Sequence, residues 1–198
     1  MRIIDPHPLY IALDFDGVLH HQHAGPHKSD HFDPLEGTQD FKRRLEARFS
    51  RTTPAIDFWD ADGLLFDREH HLCDLLQRIP QARIVFATTW RNEIPLTRLT
   101  SFLSPSIQGR VIGALDTSTL EGQRNGVRGE LMTQWLEHRD EANAVWVALD
   151  DQPRHYQQHP EQIIPTHWRG MDEITVKHAL EKINHLLHRQ ESAAAEYF

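Results

Sequence analysis

The residues with the most chemistry in them are two aspartates two positions apart. In Leu9–Leu19 (LYIALDFDGVL) an apolar, β-prone run leads into Asp14-Phe15-Asp16-Gly17. Residues two apart on a strand share a face. A strand here would hold both carboxylates side by side at its carboxyl end, where open α/β sheets bind their ligands. Gly17 lets the chain turn sharply away. Two carboxylates that close repel unless a cation or a shared proton relieves them. The economical assignment is a Mg²⁺ site with a carboxylate nucleophile.

Two further strand-like segments end in reactive residues. Ala82–Thr88 (ARIVFAT) delivers Thr88 and then Thr89, and Ala144–Leu149 (AVWVAL) runs into Asp150-Asp151. In a parallel sheet these ends converge on one edge. The cluster is then three or four carboxylates and a hydroxyl, the oxygen-rich set that hard cations prefer.

The elements that must position these residues follow from periodicity. The first strand spans roughly Tyr10–Phe15, and a His-rich polar loop follows from His20 to Asp33. Leu35–Phe49 has helical spacing, and Asp67 is placed to cap a helix to about Ile79. A helix is expected around Pro95–Phe102, a short strand at Arg110–Leu115, a loop at Gly122–Gly126 and a helix at Val127–His138. Gln162–Thr166 reads as a short strand. A last helix starts at Asp172 or Thr175, and Ser192–Phe198 reads as a frayed tail. Strands alternating with helices, the best strands being continuous apolar runs, indicate a parallel sheet covered on both faces.

Composition narrows the class. The 198 residues suit one domain with an insertion, and five Trp and nine Phe supply a core. The single cysteine, Cys73, excludes an internal disulfide and fits a reducing compartment. The N-terminal stretch MRIIDPHPLY lacks a secretory pattern, and no apolar run approaches a membrane span. A soluble cytoplasmic protein is the expectation. A net charge of −8 disfavours a broad nucleic-acid surface but leaves room for a local basic groove.

The ordered segments resemble the haloacid dehalogenase-like (HAD) phosphohydrolase superfamily. Its first motif, DxDG after a strand, is matched by Asp14–Gly17. Its second, a Thr or Ser ending a strand, is matched by Thr88, and its acidic pair by Asp150-Asp151. The third motif is a Lys, or sometimes an Arg, at a helix start. No lysine stands between Lys42 and Lys177, so Arg128 in GVRGELMTQWL is the best-placed substitute and Arg124 the second. DFDGVL, TTWR, RGEL…WL and the Trp-containing strand before DD look closest to small HAD domains grouped with RNA-repair enzymes.

The resemblance implies a three-layer Rossmann-like core with a mainly parallel sheet. Residues 17–66 would form a flap and modest insertion, too short for a large cap. It also implies roles. Asp14 would attack phosphorus, and Asp16 would protonate the leaving group and then activate water. Mg²⁺ would be held by Asp14, the backbone carbonyl of Asp16, and Asp150, with Asp151 assisting. Thr88, or Thr89 if the strand runs one residue longer, would bind a phosphoryl oxygen, and Arg128 would neutralise charge there. The substrate would be a phosphorylated small molecule or a nucleic-acid end. A binding domain with little turnover is the alternative that the missing third-motif Lys favours.

Other features carry competing readings. Trp90-Arg91 could stack on a base and contact phosphate, or be a packed tryptophan beside a solvated arginine. His20, His21, His23, His27 and His31 match no standard zinc spacing and read as a polar loop beside the site. Lys42, Arg43, Arg44, Arg48 and Arg51 could track a phosphate backbone or form a solvated helix face. Asp60-Ala61-Asp62-Gly63 repeats the DxDG pattern, but its lead-in is broken by Asp57 and it reads as a turn.

Overall fold

The computed structural model of the protein describes residues 8–22, 66–92, 94–117 and 127–195. Several expectations lie outside the described residues. These are the helix at 35–49, His23, His27, His31, the basic run 42–51, Asp60–Gly63, Arg124 and most of the insertion.

Five strands form one sheet in the order β3-β2-β1-β4-β5. They are β1 Leu9–Leu13, β2 Ala82–Phe86, β3 Val111–Ala114, β4 Val145–Asp150 and β5 Ile163–Pro165. Every pairing is parallel. The described helices are α1 Glu69–Arg78, α2 Leu96–Ser101, α3 Pro105–Gln108, α4 Val127–Glu137 and α5 Glu173–Ala195. This is the α/β Rossmann-like architecture expected. β1 lies centrally, with chain order running outward on either side, and that switch point is where open sheets bind ligands.

Alternation along β1 sorts its side chains into two layers. Leu9, Ile11 and Leu13 join the larger apolar cluster with Leu72 and Leu75 of α1, Leu99 of α2 and Val176, Ala179 and Ile183 of α5. Tyr10 and Ala12 face the smaller cluster, with Met132 and Leu136 of α4 and Tyr156. β4 repeats the pattern, with Val145, Val147 and Leu149 on the first side and Trp146 and Ala148 on the second. Burial on both faces explains why these strands read as unbroken apolar runs.

Boundaries shift by a residue or two from the periodicity. β1 stops at Leu13 instead of Phe15, and β2 at Phe86 instead of Thr88. Asp67 does not cap α1; Arg68 holds the cap position, and no side chain bonds the helix end. Asp172 does cap α5, its Oδ1 accepting from the Thr175 N–H at 2.7 Å. That helix continues to Ala195, through the start of the expected tail. Leu136 is buried on α4, whereas Leu131 and Trp135 are only partly so. No described helix is long and apolar enough to cross a membrane.

Candidate active site

The parity that sorts the core also aims the site. Asp14 continues the Tyr10–Ala12 face of β1, and Asp150 continues the Trp146–Ala148 face of β4. Both therefore emerge on the side covered by α4, whose first turn carries Arg128. Arg128 Nη1 donates to Asp14 Oδ2 at 2.7 Å and also to Asp150 Oδ2. All three groups are buried, with Arg128 3%, Asp14 4% and Asp150 0% exposed. Asp14 is fixed further from its own backbone. Its N–H donates to Leu149 O at 3.1 Å, and its Oδ1 accepts from the Phe15 N–H at 2.8 Å.

Electrostatics at this cluster are unbalanced, with three carboxylates against one guanidinium. Burial alone would lower the Arg128 pKa, but Asp14 and Asp150 overcome it and hold the guanidinium well above its usual value. Burial pushes the Asp150 carboxyl up to about 7, and Asp14 adds to the rise against the pull of Arg128. Burial and then Asp14 push Asp151 up to about 6. Oxygens of Asp14, Asp150 and Asp151 lie within 4.8 Å of one another. Asp151 Oδ1 is buried without a hydrogen-bond partner. Such an orphaned acceptor in an acidic, oxygen-only set fits a hard divalent cation. Arg128 Nε is likewise a buried donor without a partner, which suits an anionic group beside the carboxylates.

Asp16 does not share the face of Asp14, contrary to the alternation. The strand has already ended, and Gly17 at φ +68° turns the chain. Only Asp14 stays with the acidic cluster; the Asp16 side chain goes to the aromatic side. The Trp90 indole N–H donates to Asp16 Oδ2 at 2.8 Å. His20 Nε2 lies 3.0 Å from Asp16 Oδ1. His20 Nδ1 accepts from the Phe66 N–H at 3.4 Å, which selects the tautomer that donates from Nε2. The Asp16 side chain keeps 30% of its exposure. Phe15 and Phe66 brace Trp90 and each other through edge-on contacts, and Phe86 backs Phe15 in the same way.

Gly17 is needed twice. A Cβ there would sit 2.6 Å from Asp151 Cγ, in addition to the left-handed backbone. The Gly17 carbonyl accepts from Thr166 Oγ1 at 2.6 Å, so the residue after β5 is tied to the turn that follows the two acids.

The remaining expected residues fall nearby with different surroundings. Thr88 is fully buried two residues past β2, its Oγ1 accepting from the Trp90 N–H at 3.3 Å and its carbonyl from Thr117 Oγ1 at 3.2 Å. Thr89 opens the short 3-10 turn Thr89–Asn92. Trp90 is 5% exposed and spends its indole N–H on Asp16, so of its two readings the packed tryptophan is the one that fits. Arg91 donates to Ile94 O at 3.5 Å. Sequence reasoning did not single out Tyr156 or Thr117. Burial and the Asp150 carboxylate hold the Tyr156 hydroxyl well above its usual pKa, packed under the acidic cluster. Neither has a motif signal, because each is defined by what the fold lays against it.

One family model matches, described as the HAD domain in Swiss Army Knife RNA repair proteins, over residues 10–176. No curated protein and no solved structure gives a significant match. The match runs from β1 into α5 and takes in every described strand from Tyr10 onward, together with the acidic cluster. The chain therefore belongs to the HAD domains of Swiss Army Knife RNA repair proteins, within a phosphohydrolase-type superfamily.

Proposed function

We propose that this protein is a divalent-cation-dependent phosphomonoester hydrolase that works through an aspartyl-phosphate on Asp14. The supporting observation is the division of labour at the end of β1. Asp14 lies in a buried ionic cluster with Arg128 and Asp150, while Asp16 lies outside it with two N–H donors and access to solvent. A nucleophile needs the first environment, and a proton carrier needs the second.

Asp14, Asp150 and Asp151 would hold Mg²⁺, joined by the Asp16 carbonyl as the superfamily resemblance implies. The ion would offset carboxylate charge and polarise the phosphoryl oxygens. The chain's own residues do the rest. An Asp14 carboxylate oxygen bonds to phosphorus as the ester P–O bond breaks. Asp16 gives its proton to the departing oxygen. The Asp16 carboxylate then takes a proton from water, whose oxygen attacks phosphorus. The bond to Asp14 breaks, inorganic phosphate leaves, and both carboxyl groups return to their starting states. Arg128 holds charge on the phosphoryl group through its unspent Nε–H, and the Thr88 hydroxyl lies at the neighbouring strand end to position an oxygen.

The substrate we favour is a terminal phosphate of a polynucleotide, on the strength of the RNA-repair association of the family. The test is phosphate release with and without Mg²⁺ from p-nitrophenyl phosphate and from 3′- and 5′-phosphorylated oligoribonucleotides. Asp14→Asn should abolish release. Release that survives Asp14→Asn would overturn the mechanism, and no release by the wild type from any substrate would favour a binding role.

A further inference from the structure

Beside the acidic cluster the surface opens into a cleft of about 530 Å³ lined by Asp151, Gln152, Arg154, His167 and Trp168 among others. Asp151 is one of its lining residues, which joins it to the proposed catalytic centre, and Trp168, an exposed indole, is another. Trp168 is 42% exposed and belongs to neither apolar cluster, so the core does not account for it. The turn that carries it is pinned at several points. Gly170 N–H donates to His167 O at 2.7 Å, Gln22 N–H to Trp168 O at 2.8 Å, and Met171 N–H to Val18 O at 2.8 Å.

The indole is also set among cationic and aromatic neighbours. The Arg169 guanidinium carbon lies 4.7 Å from its ring centroid. His21 meets it edge-on at 4.5 Å, and the His167 ring lies 5.1 Å away. Arg154, which also lines the cleft, is exposed and donates to Gln152 Oε1 at 2.7 Å, which orients its guanidinium. Among the described lining residues, the only carboxylate is Asp151 itself. A protein with net charge −8 thus presents Arg154 and an unburied tryptophan, with Arg169 beside that indole, at a cleft that shares Asp151 with the acidic cluster.

A small phosphate ester would use only the part of the cleft at Asp151. The whole cleft fits a ligand with a terminal phosphate, a second anionic group and a flat aromatic ring. Base stacking on an aromatic side chain combined with arginine contacts to the backbone is how single strands are held. We propose that this cleft is the subsite for the end of a single-stranded polynucleotide, with Trp168 stacking a base near the terminal phosphate and Arg154 and Arg169 contacting the adjoining backbone. The proposal rests on the phosphatase reading of the Asp14 centre only for the direction in which the strand lies, not for the binding itself.

The experiment has two arms. In the first, kcat/KM is measured on a terminally phosphorylated oligoribonucleotide and on p-nitrophenyl phosphate, for wild type, Trp168→Ala and Trp168→Phe, with the 3′- and 5′-phosphorylated strands run in parallel. The ratio of the two kcat/KM values should fall about tenfold in Trp168→Ala, about 1.4 kcal/mol, and largely return in Trp168→Phe. In the second, a fluorescein-labelled phosphorylated oligonucleotide is titrated by anisotropy into Asp14→Asn protein with and without Trp168→Ala. The Kd should rise by a similar factor, and the binding should weaken with salt, less steeply in Arg154→Met. An unchanged ratio and Kd, or an equal fall on both substrates, would overturn the proposal. Failure of the wild type to hydrolyse p-nitrophenyl phosphate and the oligonucleotide alike would instead overturn the phosphatase reading, and the anisotropy arm would still decide the cleft.

Discussion

Asp14 and Asp16 are separated by one residue and live in different solvents. Asp14 is 4% exposed and shares one buried arginine with Asp150. Asp16 is held by an indole N–H and an imidazole at the edge of an aromatic cluster, with nearly a third of its side chain in water. The difference originates in the backbone. β1 ends at Leu13, so Asp14 as the very next residue keeps the strand's aim toward α4, whereas Asp16 lies beyond the ladder and its carboxylate meets Trp90 and His20 instead. The same residue type is thereby given two environments, which is how one fold runs nucleophilic and proton-transfer steps together.

Substitutions can break this contrast one side at a time. Asp16→Asn should lower kcat by about 10²–10⁴-fold on an alkyl phosphate. It should cost much less in the first step with p-nitrophenyl phosphate, whose leaving group needs no proton. An equal loss on both in pre-steady-state kinetics would remove Asp16 from the acid role. Arg128→Met should strand two buried carboxylates and destabilise the protein by about 3–5 kcal/mol, read by urea unfolding. Saturating Mg²⁺ should recover part of that loss if the acidic cluster holds the ion. Trp90→Phe removes one hydrogen bond from Asp16. It should reduce kcat by the equivalent of about 0.5–1.5 kcal/mol, with KM little changed.

The buried side can also be probed through pH. In the folded protein the Asp150 and Asp151 carboxyls are pushed up to about 7 and about 6, from 3.8 in an unperturbed chain. Between these values the folded state binds protons that the unfolded state has released. The stability they contribute is full below about pH 4 and is lost as pH rises through about 7. Metal-free protein should therefore melt at a higher temperature at pH 5 than at pH 8, and Asp151→Asn should flatten the trend. A melting temperature that rises over that interval in the wild type, and is unaltered in the variant, would contradict the assigned electrostatics.

The sheet was legible in the sequence because buried parallel strands leave continuous apolar runs, and their ends announced Asp14, Thr88 and Asp150. Arg128 was legible as a substitute cation because it opens a helix, and the structure brings it onto both aspartates. The orientation of Asp16 was not. Two-residue alternation holds only while the strand lasts, and β1 ends at Leu13, three residues before Asp16. Trp90 adjoined the second motif as the substrate's neighbour would. Its burial depends on Phe15 and Phe66, which come from separate segments and meet only in the fold. Trp168 had no motif at all, since it is singled out by exposure and by the cleft it borders.

The central claim is that the chemistry passes through a covalent phosphate on Asp14 and not on Asp16. Brief incubation with a ³²P-labelled phosphate monoester and Mg²⁺, followed by acid quench, tests it directly. The wild type and Asp16→Asn should carry hydroxylamine-sensitive label that maps to the peptide containing Asp14, and Asp14→Asn should carry none. Label that persists in Asp14→Asn, or wild-type turnover with no labelled protein under single-turnover conditions, would contradict the account.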